Sequence, residues 1–313
     1  MPFFSVIIPL YNKEDYINEC LESALNQRFN DYEIVIVNDG STDKSVQIVE
    51  GFNSDKITLF HQDNQGASKA RNKAASLSKG QYLAFLDADD IWKPNHLECL
   101  DESIRTFPKS GIYANNYFIK HSNAFTAPAK LNIQINTNKP IILEDFFEAS
   151  LKETVVWTSA TVIEKNKFMS YGMFNTAYPT GEDLDLWIRI AFKEPIVFHP
   201  KQTMIYNKSI KNSLGKIEDN DARFILFESF KEYEQKNSSL KAYLDLKRYG
   251  LALRTKINGE NKIYKDTLKT IGFENLNMKQ KLLLGTPSSL LKLLNKIRPV
   301  IIKNSLYLRI FKG

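Results

Sequence analysis

Two carboxylates stand two residues apart in Asp87-Ala88-Asp89, directly after the apolar run Gln81-Tyr82-Leu83-Ala84-Phe85-Leu86. In an extended segment such residues point the same way. With Asp90 they concentrate negative charge that needs an opposing cation. Hard divalent cations such as Mg²⁺ or Mn²⁺ take oxygen ligands and often bridge one or two carboxylates to substrate phosphates; the plainer alternative is a solvated acidic turn. Asp39 closes a second apolar run, Glu33-Ile34-Val35-Ile36-Val37-Asn38. A carboxylate there can accept hydrogen bonds from a base or ribose, or serve only the turn Gly40-Ser41-Thr42-Asp43. Arg71 follows Asn64-Gln65-Gly66-Ala67-Ser68. Gly66 and Ala67 permit close backbone approach, and Lys69 and Arg71 bring charge suited to a diphosphate, unless they are merely a solvated helix face. Glu182 and Asp183 follow Thr180-Gly181, where a cap and first-turn acids suit the start of a helix.

Alternating strands and helices must position these groups. Phe4 to Leu10, Glu33 to Asn38, Ile57 to Phe60 and Gln81 to Leu86 read as strands, the apolar ones as buried on both faces. Lys13 to Arg28, Ser45 to Phe52 and Gly66 to Leu77 carry helical spacing between them. Such repeats predict βαβ units and a mostly parallel sheet flanked by helices. Ligands bind beyond the carboxyl ends of such strands. The polar clusters at Leu10–Asn12, Asp39–Asp43 and Asp87–Asp90 all lie at those ends, so they should converge on one crevice.

The pattern resembles the family 2 glycosyltransferases, inverting enzymes of GT-A fold. The matching residues are Ser5-Val6-Ile7-Ile8-Pro9-Leu10-Tyr11-Asn12, Glu33 through Asp43, Asn64 through Asn72, and Tyr82 through Asp90. The likeness covers residues 4 to about 215 and is strongest up to Trp92. It implies a nucleotide-sugar donor, a UDP-sugar above all, and a Mn²⁺ or Mg²⁺ cofactor. Pro9, Tyr11, Asn12 and Asp39 would hold the nucleoside, with Asp39 facing the base. Asn64, Gly66 and Arg71 would lie against the nucleotide near Asp87 and Ala88. Asp87 and Asp89 would form the family's D-x-D, with Asp89 the direct metal ligand. Glu182-Asp183 matches the family's Glu-Asp motif; Asp183 would be the general base, with Asp185 the weaker candidate.

The second half brings the acceptor side. Val155 to Ile163 reads as a strand, and Phe168 to Phe174 resembles the segment before the family's catalytic loop. Trp157 and Trp187 are candidate sugar-stacking rings, although Trp187 sits among Leu184, Leu186 and Ile188 and suits a core. The family often carries an Arg or His after the strand that follows the Glu-Asp helix. Here Lys208 or Lys211 would do that phosphate work, Ser213 would lie in a closing loop, and His199 reads as structural.

At 313 residues, 43% hydrophobic and 25% charged, the chain is globular in composition. Cys20 and Cys99 are too few for a disulfide framework or a four-cysteine zinc site. The net charge of +6 is uneven. Residues 275–313 hold eight Lys and Arg and no Asp or Glu; removing those eight from the chain's 42 leaves 34 basic against 36 acidic residues, a net of −2. The body is therefore not a basic nucleic-acid binder. The division expected is a catalytic domain over 1–215 (donor half 1–110, acceptor half 111–215), a helical extension over 216–274 and a basic amphipathic tail over 275–313. Asp221 to Lys236, Ser239 to Asn258 and Lys262 to Ile271 read as helices of that extension, and Pro299 should interrupt the tail's helices. A basic, acid-free amphipathic helix suits an anionic bilayer interface. No targeting or membrane-spanning run is evident, so the location expected is cytoplasmic, peripheral on the inner membrane face. A homo-oligomer is compatible with the helical faces.

The reading is a metal-dependent inverting sugar transferase with a glycan or lipid-linked acceptor in cell-surface polysaccharide synthesis. Its rivals are a non-catalytic nucleotide-sugar or glycan-binding module and a nucleotidyltransferase that makes nucleotide sugars. The latter would want a Gly-rich loop after the first strand, and Pro9-Leu10-Tyr11-Asn12 is not one.

Overall fold

The computed structural model describes residues 1–210 and 219–303, with the side chains of 296–303 excepted. It divides into two compact units, Met1–Ile217 and Glu218–Gly313.

The first unit is α/β. Its strands are β1 (Phe4–Leu10), β2 (Tyr32–Asp39), β3 (Ile57–Gln62), β4 (Tyr82–Phe85), β5 (Ile91–Trp92), β6 (Ile112–Ser122), β7 (Phe125–Pro128), β8 (Ile141–Ile142), β9 (Thr161–Glu164) and β10 (Ile196–Asn207). Its helices are α1 (Ile17–Leu25), α2 (Ser45–Glu50), α3 (Ala67–Leu77), α4 (His96–Thr106), α5 (Phe146–Ala149), α6 (Lys165–Ser170) and α7 (Glu182–Ala191). One sheet runs in the order β3-β2-β1-β4-β9-β6-β10-β5, with β7 on β6 and β8 on β10.

The first four strands in that order are all parallel. β1, β2 and β4 are buried almost throughout, as strands covered on both faces must be. Beyond β4 the sheet is mixed. β9 is antiparallel to β4 and β6, β10 is parallel to β6, and β5, β7 and β8 are antiparallel to their neighbours. The mostly parallel expectation therefore holds for the first half and gives way in the second.

Register aligns the strand ends. Leu10 lies beside Asn38, Asn38 beside His61, and Asp39 beside Gln62. The loops that follow these strands thus leave from one edge, as their polar residues led us to expect.

Three local expectations change. The helix read from Lys13 starts only at Ile17, because Lys13 to Tyr16 form a turn closed on the Lys13 carbonyl. Thr158–Ala160 form a 3-10 turn and only Thr161–Glu164 are strand. Here the Ser159 hydroxyl is committed to the turn after β4, and Thr161 Oγ1 donates back to the Trp157 carbonyl at 2.7 Å, so tertiary partners override β propensity. The Asp87–Asp89 segment is a turn rather than extended chain.

The second unit is helical: α8 (Asn220–Glu228), α9 (Lys231–Glu234), α10 (Ser238–Asn258), α11 (Asn261–Thr270), α12 (Met278–Gly285) and α13 (Ser288–Lys303). The helix read over Asp221 to Lys236 is broken in two. Arg248 Nη2 takes the Phe227 carbonyl at 3.1 Å near the break. α13 runs through Pro299 rather than stopping there. Proline removes one helix hydrogen bond, but the leucine-rich turns before it, good helix formers, carry the helix past it. Leu240, Tyr243, Leu244, Leu251 and Ala252 of α10 form the buried face of the unit. Among the described residues, no helix is long and apolar enough to cross a membrane.

Candidate active site

Asp39 is buried at the end of β2, and its carboxylate organises the loop beyond β3. Oδ1 accepts from Gln62 Nε2 at 2.7 Å and from the Gln65 N–H at 2.8 Å; Oδ2 accepts from the Gly66 N–H at 2.8 Å. Gly66 has φ 90°, a conformation that favours glycine, and immediately precedes α3. A carboxylate offers about four lone-pair sites, so Asp39 keeps acceptor capacity for a ligand. Across the strand ends, Asn12 has φ 48°; its Oδ1 accepts from the Thr42 N–H at 2.8 Å, and its own N–H donates to Ser41 Oγ at 3.1 Å. Pro9 is half-buried, and Tyr11, Asn12 and Asn64 are exposed around this rim.

The acidic turn after β4 is held from behind. The Asp87 N–H donates to Ser159 Oγ at 3.0 Å, and Ser159 Oγ donates to Asp90 Oδ2 at 2.6 Å. Asp90 Oδ1 accepts from the Asn207 N–H at 2.9 Å. Burial, then the neighbouring Asp89 and Asp87, push Asp90 well above the usual carboxylate range. Asp90 is thus a buried scaffold residue, while Ala88 is the buried middle of the turn.

Asp87 and Asp89 turn to different cations. Arg71, buried on α3, donates through Nη2 to Asp87 Oδ1 at 2.6 Å and through Nη1 to Glu182 Oε1 at 2.8 Å. Burial opposes its charge, yet the Asp87 and Glu182 carboxylates raise its pKa above the guanidinium norm. Lys13 Nζ lies 2.6 Å from Asp89 Oδ2. Burial raises the Asp89 pKa against the opposing pull of Lys13.

The acids at the start of α7 divide their work by helical position. Glu182 meets Arg71; burial and then Asp183 raise its pKa, against the pull of Arg71. Asp185, three residues on and on the same side of the helix, accepts from Arg189 Nε at 2.9 Å and Nη2 at 2.7 Å. Arg189 also donates to the carbonyls of Tyr171 and Met173. Asp185 is therefore spent on bracing the turn before α7. Asp183 falls between these faces. Its Oδ1 accepts from the Leu184 N–H at 2.7 Å, and among the described residues no Lys or Arg pairs with it.

The geometry brings Arg71, Asp87 and Glu182 together, with Lys13 and Asp89 alongside. It does not bring Trp187, which is 2% exposed and packs on Phe174; the ring is core and cannot stack on a sugar. Trp157 is half-buried, with its ring 4.0 Å from that of Tyr206. Lys208 is exposed at the end of β10, while Lys211 and Ser213 lie outside the described residues. His199 is buried against Glu102, a structural position as expected.

Sequence reading missed Lys13, Ser159 and Asn72. Asn72 holds both backbone groups of Phe174, accepting at 3.1 Å and donating at 2.8 Å. The signal available for it was its place one residue after Arg71. For Lys13 the available signal is that it directly follows Tyr11-Asn12.

Among the described residues, no group of three or more His, Cys, Asp and Glu side chains forms a metal cage. The donor set still fits a hard cation completed by substrate. Asp87 and Asp89 each engage one oxygen with a protein cation and keep the other, and Mg²⁺ characteristically takes one or two carboxylates plus substrate phosphates.

The glycosyl transferase family 2 model matches residues 5–172, more than half of the chain. The chain belongs to glycosyltransferase family 2. The match covers the strand-end clusters and stops before α7. Among relatives of this glycosyltransferase, an uncharacterized glycosyltransferase of Rickettsia felis is 33% identical over 200 residues, covering 63% of this chain and 33% of that protein. The chondroitin synthase of Pasteurella multocida is 37% identical over 119 residues, covering 37% of this chain and 12% of the synthase. The matches thus span a third or less of these relatives' own lengths. The crystal structure of S. aureus TarS 1–349 in complex with UDP-GlcNAc aligns with a TM-score of 0.68 at 20% identity, over 87% of this chain and 82% of that one. The fold of this glycosyltransferase is GT-A.

Proposed function

We propose that this glycosyltransferase moves a sugar, with inversion, from a UDP-sugar to a hydroxyl of a glycan or lipid-linked acceptor in cell-surface polysaccharide synthesis. The observation that carries the reading is the Arg71 bridge. One buried guanidinium binds Asp87 of the D-x-D and Glu182, the immediate neighbour of Asp183. The donor-side acid and the candidate base are thereby tied to one group. The UDP-GlcNAc in the TarS structure supports the donor class, and the chondroitin synthase relative supports a polysaccharide context.

Tyr11 and Pro9 would pack on the nucleoside, with Asp39 accepting from the base and Asn12, Asn64 and Gly66 at the rim. Arg71 would hold Asp87 in place beside the diphosphate. Asp87 and Asp89 would hold Mn²⁺ or Mg²⁺, which when bound supplies Lewis-acid stabilisation of the leaving diphosphate. Asp183 accepts the acceptor's hydroxyl proton on Oδ2 while that oxygen bonds to the anomeric carbon. The carbon–phosphate-oxygen bond breaks, and the diphosphate leaves with the electron pair. Trp157 would serve the acceptor side and Lys208 the phosphate side.

The enzyme would work at the cytoplasmic face of an anionic membrane. Met278 and Leu282 on α12 are 71% and 67% exposed, and Leu290 and Leu293 on α13 are also exposed, among lysines and with no acid in the segment. Such a face suits insertion among anionic headgroups.

Replacing Asp183 with Asn keeps shape and removes basicity. Transfer from UDP-sugar should fall about 10³-fold, while UDP affinity by calorimetry is unchanged. Full turnover in Asp183→Asn would remove the assigned base.

A further inference from the structure

The two aspartates of the D-x-D carry cations of different character. Arg71 is committed on both sides, to Asp87 and Glu182, and its guanidinium lies 5.4 Å from the Phe174 ring. It is braced at two points, Nη2 on Asp87 and Nη1 on Glu182. Lys13 is anchored only at its root. Its N–H donates to Ser45 Oγ at 2.7 Å, and its carbonyl accepts from Tyr16 and Ile17, both at 2.9 Å. Its ammonium has Asp89 as sole partner among the described residues, and both side chains are partly open to solvent at 18% and 16%. A lysine ammonium is a compact charge on a flexible four-carbon stem, whereas a guanidinium is a rigid fork. Asp89 is therefore the carboxylate whose cation can be exchanged.

A divalent ion would sit about 2.0–2.1 Å from the other oxygen of Asp89, while Lys13 Nζ holds Oδ2 at 2.6 Å. Two cations on one carboxylate repel each other. We propose that Lys13 is a resident counter-ion of Asp89 that a divalent cation displaces, and that the released ammonium passes to the donor diphosphate. The exchange keeps Asp89 neutralised in the empty enzyme. It also makes cation entry favourable chiefly when a diphosphate is present to receive Lys13. The inference rests on the divalent-cation reading given above.

The test is Mn²⁺ binding to the full chain, read from the loss of the free-ion EPR signal with and without UDP, so that no turnover is involved. Lys13→Met should bind Mn²⁺ about ten-fold more tightly than the unaltered protein without UDP. With UDP that gain should vanish, because the variant lacks the charge that receives the diphosphate. Lys13→Arg, which keeps the charge, should bind Mn²⁺ without UDP no more tightly than the unaltered protein, and Lys13→Gln should repeat the Met result should Met perturb folding. Equal Mn²⁺ affinity of the neutral variants and the unaltered protein without UDP overturns the counter-ion role alone. An equal gain with and without UDP overturns the transfer to diphosphate. No Mn²⁺ binding by any of the proteins, UDP included, overturns the divalent-cation reading and this inference with it.

Discussion

Arg71 and Arg248 are the same physical device in two regions. Each is a buried guanidinium, 4% and 1% exposed, held by several carboxylates. Arg248 binds Glu234 through both terminal nitrogens, at 2.7 and 2.5 Å, with Glu228 and Asp245 nearby. Arg71 binds Asp87 and Glu182. The difference lies in the partners. Glu234 and Asp245 are buried with Arg248, and Glu228, 25% exposed, is the carboxylate of that cluster that reaches solvent, on a helix rather than among polar strand ends. Asp87 keeps 28% of its side chain exposed and opens onto the strand ends. A buried ion cluster by itself marks a costly structural choice. Partial exposure of one member does not mark a site, since Glu228 and Asp87 share it; the distinguishing feature is that Asp87 opens among other polar groups at the strand ends.

The sharpest way to break that contrast is to remove each cation. Arg71→Met should lower transfer about 10²- to 10³-fold, measured as initial rates on the folded fraction. Arg248→Met should lower stability by about 3–5 kcal/mol through its stranded carboxylates, seen in urea unfolding, while each folded molecule keeps its kcat/KM. Equal catalytic losses in both variants would erase the distinction.

Burial without any counter-charge is a third case. His96 is fully buried, stacked on Trp92 with centroids 4.3 Å apart, and Nδ1 meets Thr203 Oγ1 at 2.8 Å. Burial pushes its pKa down to about 3 from 6.5. The folded imidazole stays neutral while the unfolded one takes a proton below 6.5, so stability is lost as pH falls from there toward 3. Between pH 7 and pH 5 the loss should be about 2 kcal/mol, and His96→Asn should flatten that slope in chemical denaturation. An unchanged slope would assign the acid sensitivity to other groups.

The smallest effect concerns the membrane face proposed for the helical unit. The pair Leu282→Asp and Leu293→Asp should lower flotation with anionic phosphatidylglycerol vesicles about ten-fold. Equal flotation of both proteins would leave those leucines without a membrane role.

The strand-end clusters were legible because each is local: an apolar run, then turn formers, then a polar side chain. Their convergence followed from parallel topology alone. Pairings across long separations were not legible. Lys13 meets Asp89 across 76 residues and Asn72 meets Phe174 across 102. Neither partner's sequence neighbourhood announces the other. Ser159 looked like part of a strand because β propensity cannot register that its hydroxyl serves Asp87 and Asp90. The acids of α7 were found together, but only the placement of Arg189 and Arg71 separated Asp185 from Glu182. Trp187 was ambiguous by composition and was decided by packing.

The Arg71–Glu182 contact joins residues 111 apart, and this sets an order of events during synthesis. A chain growing from its N-terminus completes β1 to β4, with Arg71 and the acidic turn, long before α7 is made. Until then the guanidinium has only one of its two carboxylate partners. The donor half therefore acquires its final electrostatics only when the helix bearing Asp183 docks.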